Sequence, residues 1–436
     1  MTLSSRDRAL IWHPFTQEQT AELPIVITKG QGSYLYDEHN NAYLDLISSW
    51  WVNLHGHANI TIANAIHQQA LKLEHVIFAG FTHEPAIELC ERIKALLPPH
   101  LTRFFFSDNG STAVEVAMKM AYQYWKNKGS SKRNKFISFV GGYHGDTFGA
   151  MSVGRRSGFH DQFQELFFES VTIPYPDTWD GDPEVEQKEY ESLTQLQQLL
   201  EQEHEQIAAF IAEPLVQGAS GMRMCRPNYL KQVVNLLQEY NILIIFDEVM
   251  TGFGRTGANF AFEIVDCLPD FLCLSKGLSG GFLPLALTIT SNHIYEAFLS
   301  NDFNTAFAHG HSYTANPLGC AAAKTSLDLL LTAKTQSAIQ AINSCHLQSL
   351  PDLMRHCKSL RNARVQGTIA AFELNANYAY SMKDLKAQFL TQRLLLRPLG
   401  RTIYLLPPYS ITVDELNDAY LKIANIITNA DLCVLS

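Results

Sequence analysis

The sequence predicts an α/β fold in which a mostly parallel sheet lies between helices, together with a smaller α+β domain built from both chain ends. Two observations lead to this prediction. Short segments such as 207–212 and 242–246 are apolar throughout, which is typical of strands that are buried on both faces of a parallel sheet. Segments with helical spacing, such as 229–240, separate these strands and favour crossover connections through helices.

The elements follow in order along the chain. Residues 32–45 predict a hairpin near the N-terminus. The strands of the main sheet are predicted at 103–107, 135–140, 207–212, 242–246, 271–274 and 285–290, with helices at 112–125 and 229–240. Residues 176–206 predict a loop followed by a surface helix.

The last third of the chain has a different pattern. It predicts a long helix at about 316–332, a strand at 368–374, another helix, and a strand at 402–406. We therefore expect a large domain at 56–320 and a smaller C-terminal domain at 321–436. The N-terminal segment 1–55 is expected to pack with the small domain.

The composition excludes several classes of protein. Of the 436 residues, 46% are apolar and 17% are charged, which is enough for a large core. The net charge is 33 − 43 = −10, so nothing indicates a basic surface for nucleic acid or an anionic membrane. No apolar run reaches the ~18–20 residues that cross a bilayer, and we expect no secretory signal. Eight cysteines without a Cys-x-x-Cys pair favour reduced thiols in the cytoplasm and argue against zinc.

A loop between a predicted strand and helix is a candidate phosphate site. Thr112 and Glu115 have the spacing of a capping box, so we expect the helix to begin there. Free backbone N–H groups beside Gly110 and Ser111 can hold a phosphate dianion. An ordinary capped loop is the alternative.

Two further candidates follow apolar strands. Asp247 and Glu248 lie at a strand end, where α/β sheets bind their ligands; the alternative is a pair of solvated acids. Lys276 lies among small residues after the next strand, and an amine in such a pocket can form a Schiff base with an aldehyde. The alternative for Lys276 is a loop lysine whose ammonium remains in water.

Two patterns are set aside. Gly252, Gly254 and Gly257 match the dinucleotide fingerprint, but 247–251 separate them from the strand and no convincing helix start follows. The histidine pairs 55/57 and 309/311 have no acidic or thiol neighbour at ligand spacing. Turn histidines are therefore favoured over a metal site.

Aromatic and cationic residues supply the last candidates. Trp50 and Trp51, and Tyr143 between glycines, can form a pocket wall; packing in the core is the alternative. Arg397 lies between two apolar strands and can pair with a carboxylate through two hydrogen bonds, or it is a surface arginine.

Together these residues resemble the class III aminotransferases, which are fold type I enzymes dependent on pyridoxal 5′-phosphate. The motifs that carry the resemblance are EPLVQGASGM (213–222), IIFDEVMTGFGRTG (244–257) and LSKGLSGG (274–281). The resemblance implies that Lys276 holds the cofactor aldehyde as a Schiff base and shuttles a proton. It implies that Asp247 pairs with the pyridinium nitrogen and that Tyr143 stacks on the ring. Gly110 and Ser111 would bind the phosphate within the large domain, and no metal is implied.

The resemblance also implies a homodimer with shared active sites. In this family the segment 310–312 reaches the phosphate of the neighbouring subunit, so His311 and Ser312 would bind cofactor there. The substrate-binding residues that the resemblance implies are Phe15, Trp50, Trp51, Tyr143, Lys276, Gly310 and Arg397. Of these, Arg397 would take a substrate carboxylate.

Four more segments are similar to those of family members that act in biotin synthesis, namely WHPFTQ (12–17), SSWW (48–51), GYHGDTFGAMS (142–152) and HGHSY (309–313). They imply conversion of 8-amino-7-oxononanoate to 7,8-diaminononanoate by a ping-pong mechanism, with S-adenosylmethionine as amino donor. Phe15 stands where the family often has tyrosine, and His311-Ser312 where Pro-Thr is common.

These two departures leave the amino donor open. Some relatives with the same residues at these places use lysine as donor, whereas the paired tryptophans favour S-adenosylmethionine. Three further classes of protein also stay open: another ω-aminotransferase, an aminomutase, and a non-catalytic or nicotinamide-binding protein.

Overall fold

The computed structural model describes residues 1–154, 159–375, 378 and 381–435, with side chains through residue 429. Its helices are α1 (Leu3–Leu10), α2 (Ser48–Trp51), α3 (Ile60–Lys72), α4 (Glu84–Lys94), α5 (Gly110–Asn127), α6 (Phe148–Val153), α7 (Val185–Glu203), α8 (Pro227–Glu239), α9 (Ala261–Val265), α10 (Asn292–Glu296), α11 (Pro317–Leu330), α12 (Ala333–His356), α13 (Met382–Thr391) and α14 (Val413–Leu435). Its strands are β1 (Ile27–Gln31), β2 (Tyr34–Asp37), β3 (Ala42–Asp45), β4 (Leu101–Ser107), β5 (Lys135–Phe139), β6 (Ser170–Ile173), β7 (Ile207–Ala212), β8 (Val216–Gln217), β9 (Arg223–Met224), β10 (Leu243–Asp247), β11 (Phe271–Leu274), β12 (Ala286–Ser291), β13 (Leu360–Gln366), β14 (Ile369–Leu374), β15 (Leu394–Leu395) and β16 (Thr402–Leu405).

Seven strands form the central sheet in the order β4-β12-β11-β10-β7-β5-β6. Six of these strands run in one direction and β12 runs in the opposite direction, so the predicted mostly parallel sheet is confirmed. Every residue of β7 and β10 is buried, and all of them are apolar except Asp247, the last residue of β10.

The two faces of the central sheet carry separate apolar cores, because successive strand residues point to opposite faces. Ile244 and Phe246 pack in one core with the buried side of α8. Ile245 packs in the other core with the buried side of α5. Helices therefore cover both faces, as the sequence predicts.

Both chain ends contribute to a second sheet, of order β1-β2-β3-β15. The predicted hairpin is present as β2 and β3, and β3 pairs in parallel with β15 from the last tenth of the chain. A third sheet, β13-β14-β16, lies within the C-terminal region, where α12 packs on α14. The division into 1–55, 56–320 and 321–436 stays a prediction, and α11 spans its second boundary.

Two further observations concern the chain as a whole. Within the described ranges, no helix combines the length and the apolar character needed to cross a bilayer. No disulfide joins cysteines in the described part of the chain, and the side chain of Cys433 lies outside the described residues.

Candidate active site

A cavity of about 430 Å³ opens at the carboxyl edge of the central sheet. Residues at or just after the ends of five strands form part of the cavity wall. These strands, which all run in one direction, are β4, β5, β7, β10 and β11. Of the residues singled out in the sequence, the wall includes Trp51, Gly110, Ser111, Tyr143, Asp247 and Lys276. The fold thus brings together groups that lie far apart in the chain.

The helix α5 begins at Gly110, two residues before the predicted start. Asn109 is its N-cap, because its side chain accepts the N–H of Thr112 at 3.1 Å while the Thr112 hydroxyl accepts the N–H of Asn109 at 3.2 Å. The predicted capping box between Thr112 and Glu115 is therefore wrong. Glu115 instead accepts the N–H of Ala150 at 3.0 Å. This earlier start places Gly110 and Ser111 in the first helical turn, where their N–H groups have no partner within the helix.

Gly145 brings the loop that carries Tyr143 against this helical turn. Its φ is +121°, and a Cβ there would overlap the Ser111 hydroxyl oxygen and lie 2.8 Å from the Ser111 Cα. The next residue, Asp146, donates its N–H to the Ser111 hydroxyl at 3.0 Å. The loop and the start of α5 therefore form one tightly packed wall.

Asp247 ends β10 and is 5% exposed. Its Oδ2 lies 2.8 Å from Nδ1 of His144, and its Oδ1 accepts the N–H of Val249 at 3.1 Å. A buried carboxylate requires such partners to offset its desolvation. His144 was not singled out in the sequence, although it belongs to the glycine-flanked segment that identifies Tyr143.

The neighbouring carboxylate, Glu248, has a different environment from Asp247. It is fully buried and accepts the N–H groups of Ala261 and Phe262, at 2.7 and 2.8 Å, where α9 begins. Burial raises the pKa of Glu248 to about 8. Glu248 therefore caps a helix, and the prediction of a solvated acid is wrong for both residues.

Glu213 supplies the second carboxylate of the cavity. Its two oxygens accept the N–H groups of Tyr143 at 3.0 Å and of Gly218 at 2.9 Å. Burial raises the pKa of Glu213 to about 7; His144 opposes this effect and Asp247 adds to it. The sequence showed Glu213 only as part of a family motif, with no role of its own.

Lys276 is separated from the end of β11 by Ser275 and opens a short 3₁₀ turn, Lys276–Ser279, with a φ of +41°. Its Nζ lies 4.9 Å from the centroid of the Trp51 ring. Burial lowers the pKa of Lys276, although the negative charges of Asp247 and Glu213 act in the opposite direction. An amine with a lowered pKa is more often neutral and therefore nucleophilic. The alternative of a solvated loop lysine is wrong.

The paired tryptophans have separate environments. Trp51 is buried, and its Nε1 donates to the Tyr404 hydroxyl at 3.0 Å. Trp50 is half-buried, with the Arg397 guanidinium 4.3 Å from its centroid and the Phe15 ring 5.6 Å away in an edge contact. Phe15, Trp50 and Arg397 form one cluster, and none of the three is part of the cavity wall.

The segment 310–312 does not line the cavity of its own chain. Gly310 and Ser312 are exposed, and His309 lies beside Lys119, with 2.9 Å between Nδ1 and Nζ. The other histidine pair has partners on the protein, since His57 lies 2.9 Å from an Asp45 oxygen. Among the described residues, no three His, Cys, Asp or Glu side chains are grouped to hold a metal.

Residues 252–257, which match the dinucleotide fingerprint, form a loop, and the next helix, α9, begins only at Ala261. Arg255 within this loop is buried and donates to the carbonyls of Asn53 and Pro407, both at 2.9 Å. The loop therefore holds other backbone segments in place, and the strand–turn–helix unit of a dinucleotide site is not formed there.

A lysine amine and a buried carboxylate at the carboxyl edge of such a sheet define the fold type I class of transaminases. The family described as "Aminotransferase class-III" matches residues 15–427, and the chain belongs to this family. Membership implies pyridoxal 5′-phosphate as cofactor, and it excludes the nicotinamide-binding alternative.

Relatives and solved structures resemble the chain over almost its whole length. An adenosylmethionine-8-amino-7-oxononanoate aminotransferase from Synechococcus elongatus is 50% identical over 96% of this chain and 98% of its own. One of the same name from Helicobacter pylori is 42% identical over 98% and 97%. The crystal structure of such an enzyme from Methanocaldococcus jannaschii has a TM-score of 0.90 at 35% identity, covering 98% of this chain and 99% of its own. A PLP-bound amine transaminase from an uncultivated Pseudomonas species also has a TM-score of 0.90, at 29% identity over 97% and 99%.

Proposed function

We propose that the chain converts 8-amino-7-oxononanoate to 7,8-diaminononanoate in biotin synthesis, with S-adenosylmethionine as amino donor and pyridoxal 5′-phosphate as cofactor. The names of relatives such as the Synechococcus elongatus protein support the acceptor and the donor. One observation supports the chemistry above all others. The desolvated Nζ of Lys276 shares a cavity with the buried carboxylate of Asp247.

The cavity fits pyridoxal phosphate at three points. A phosphate dianion needs N–H donors, and the first turn of α5 offers them. Gly110 lies in this turn, so close to Val249 that a Cβ on Gly110 would be 2.7 Å from Cγ1 of Val249. A pyridinium nitrogen needs a carboxylate, which Asp247 supplies. An aldehyde needs an amine, which Lys276 supplies, and Tyr143 adds an aromatic wall.

The bound cofactor would supply an electron sink for the amino-bearing carbon. The role proposed for Lys276 is to take a proton from that carbon at Nζ and later return one to the acceptor. Its lowered pKa favours this role, because a general base must be neutral near the working pH. Asp247, held 2.8 Å from His144, is suited to keep a proton on a ring nitrogen. Glu213 fixes the backbone of Tyr143 by accepting the Tyr143 N–H.

Arg397 is proposed to bind the carboxylate of the oxononanoate. Its guanidinium lies over the Trp50 ring, 4.3 Å from the ring centroid. A guanidinium is planar and can make two parallel hydrogen bonds to one carboxylate. Phe15 contacts the same ring and is proposed to shape the substrate site without a hydroxyl.

The experiment that tests the proposal measures 7,8-diaminononanoate by mass spectrometry. Purified holoenzyme is incubated with 8-amino-7-oxononanoate and either S-adenosylmethionine or lysine, with Lys276→Ala as the control. We expect product with S-adenosylmethionine and none from the variant. Product with lysine alone would refute S-adenosylmethionine as the donor. No product with either donor would refute the proposed step of biotin synthesis.

We also propose a cytoplasmic homodimer with shared active sites, in which Gly310, His311 and Ser312 serve the partner's site. Their position outside the cavity of their own chain supports this arrangement. Lys276→Ala and Ser312→Asp should each be inactive alone. In a mixed dimer, one site then combines an intact Lys276 with an intact Ser312 from the other subunit, so activity should return. If Ser312 serves its own subunit, mixing restores nothing.

A further inference from the structure

His160 lies behind Tyr143, and the proposed reaction gives it no role. It is 4% exposed, and its ring stacks on Tyr143 with centroids 5.9 Å apart and an interplanar angle of 25°. The Phe167 ring also contacts His160, nearly perpendicular to it, with centroids 6.4 Å apart. Because Tyr143 lines the cavity, the groups that orient its ring also shape that wall.

Both ring nitrogens of His160 face acceptors. Nδ1 lies 2.9 Å from the carbonyl oxygen of Gly154, and Nε2 lies 3.3 Å from Oδ1 of Asp146. A carbonyl oxygen and a carboxylate oxygen can only accept, so each bond requires a hydrogen on the nitrogen that faces the oxygen. Asp146 is the anion of this pair. Burial acts to raise its pKa, but hydrogen bonds with His160 and Tyr143 outweigh burial and lower it.

Asp146 connects His160 to two parts of the cavity wall. Its Oδ2 accepts the Tyr143 hydroxyl at 2.9 Å. Its backbone N–H donates to the Ser111 hydroxyl at 3.0 Å. Among the residues that the structure describes, His160, Tyr143 and Lys276 act on this carboxylate. A continuous set of bonds therefore runs from His160 to the aromatic wall and to the start of α5.

We propose that His160 is a positioning residue of this active site. By holding Asp146 it fixes the Tyr143 phenol relative to the Ser111 hydroxyl. The inference rests on the proposed function only in taking Tyr143 and Ser111 as groups that face substrate and cofactor. Without the His160 ring, the Asp146 carboxylate loses a partner and the phenol loses a fixed acceptor.

Two substitutions separate the bonds of His160. The side-chain nitrogen of glutamine falls near the place of Nε2, so His160→Gln keeps a donor for Asp146. The side-chain nitrogen of asparagine falls near the place of Nδ1, so His160→Asn keeps a donor only for Gly154. Both variants lose the ring stacking, which makes each the matched control of the other.

The test compares the two variants in cofactor affinity of the apoenzyme, kcat/KM for the acceptor, and Tm. We expect His160→Asn to weaken both functional quantities by about tenfold or more, the effect of losing one charge-assisted hydrogen bond. His160→Gln should stay within about threefold of the unsubstituted chain, with equal Tm for the two variants. Equal impairment of both variants, or a loss confined to His160→Gln, would overturn the proposal.

Nitrogen NMR of the apoprotein tests the bond to Asp146 and needs no substrate. We expect Nε2 of His160, assigned with the Asn variant, to show the shift of a ring nitrogen that carries hydrogen. The shift of an Nε2 without hydrogen would overturn the proposal whatever the reaction proves to be. A hydrogen-bearing Nε2 in a chain that forms no 7,8-diaminononanoate would instead refute the proposed function and leave the positioning role of His160 intact.

Discussion

The close approach of Gly145 to Ser111 allows a direct test of the proposed phosphate site by Gly145→Ala. With a φ of +121°, alanine there is strained by about 1–3 kcal/mol. The new Cβ would also overlap the Ser111 hydroxyl and lie 2.8 Å from its Cα. Since non-bonded carbons prefer ~3.5–4.0 Å, the backbone at Ser111 must move by about 1 Å.

Gly257→Ala is the matched control for the backbone strain. Its φ is +103°, and its Cβ would meet only the Gly367 Cα at 3.5 Å, an ordinary contact. Both variants therefore carry a similar backbone cost, but only Gly145→Ala displaces Ser111. A hydrogen bond to a charged group contributes ~1.5–3 kcal/mol, so the loss of one such bond to a phosphate dianion weakens binding by ~10–150-fold.

The assay is a titration of the apoenzyme with pyridoxal phosphate, followed by tryptophan fluorescence, with thermal unfolding of the same samples. We expect a Kd about 10–150-fold higher for Gly145→Ala and a Kd within about threefold for Gly257→Ala. Tm should fall in both variants, and further in Gly145→Ala because the displacement of Ser111 also costs stability. Equal Kd values in the two variants would refute the argument that Ser111 helps to hold the phosphate.

The remaining predictions concern four side chains. Lys276→Ala should abolish steady-state transfer without changing Tm, and appreciable turnover would contradict its proton-transfer role. Asp247→Asn should lower kcat by about 100-fold or more while phosphate binding persists, because the neutral amide no longer favours a protonated ring nitrogen; a near-normal rate would show that this carboxylate is structural. Burial raises the pKa of Glu248 from 4.5 to about 8, so the folded chain binds this proton more tightly than the unfolded chain, and stability should fall as pH rises through that window. Glu248→Gln should flatten this part of the Tm–pH curve, and an unchanged slope would argue against the assignment. Arg397→Gln should raise KM for the acceptor by about tenfold or more with less effect on kcat, and an unchanged KM would exclude carboxylate binding there.

Several elements could be predicted from the sequence because a single physical requirement specifies them. β7 and β11 have the predicted bounds, since a strand buried on both faces must be apolar throughout. The direction of β12 was not predictable, because pairing and not composition decides whether an apolar strand runs parallel. The start of α5 was placed two residues late, because Asn109 and Thr112 are both good caps and only the observed hydrogen bonds distinguish them.

The candidate site was predictable to a similar degree. Asp247 and Lys276 stood out because each follows an apolar strand, yet nothing local distinguished Asp247 from Glu248. Adjacent side chains at a strand end point in opposite directions, so one carboxylate enters the cavity while the other caps α9. Glu213 and His144 were missed as individual groups, since their partners come from other strands.

The sequence by itself determined the series of buried strands and helices and the identity of the reactive groups, because side-chain chemistry and local periodicity are properties of neighbouring residues. The tertiary structure decided which of these groups meet. In the sheet, β5, β7, β10 and β11 are adjacent and parallel, so the residues that follow them, Tyr143, Glu213, Asp247 and Lys276, converge on one edge. Pairing order joins segments distant in the chain, and no local pattern encodes it. The pKa of Lys276 is likewise a tertiary property, because burial by those converging segments lowers it.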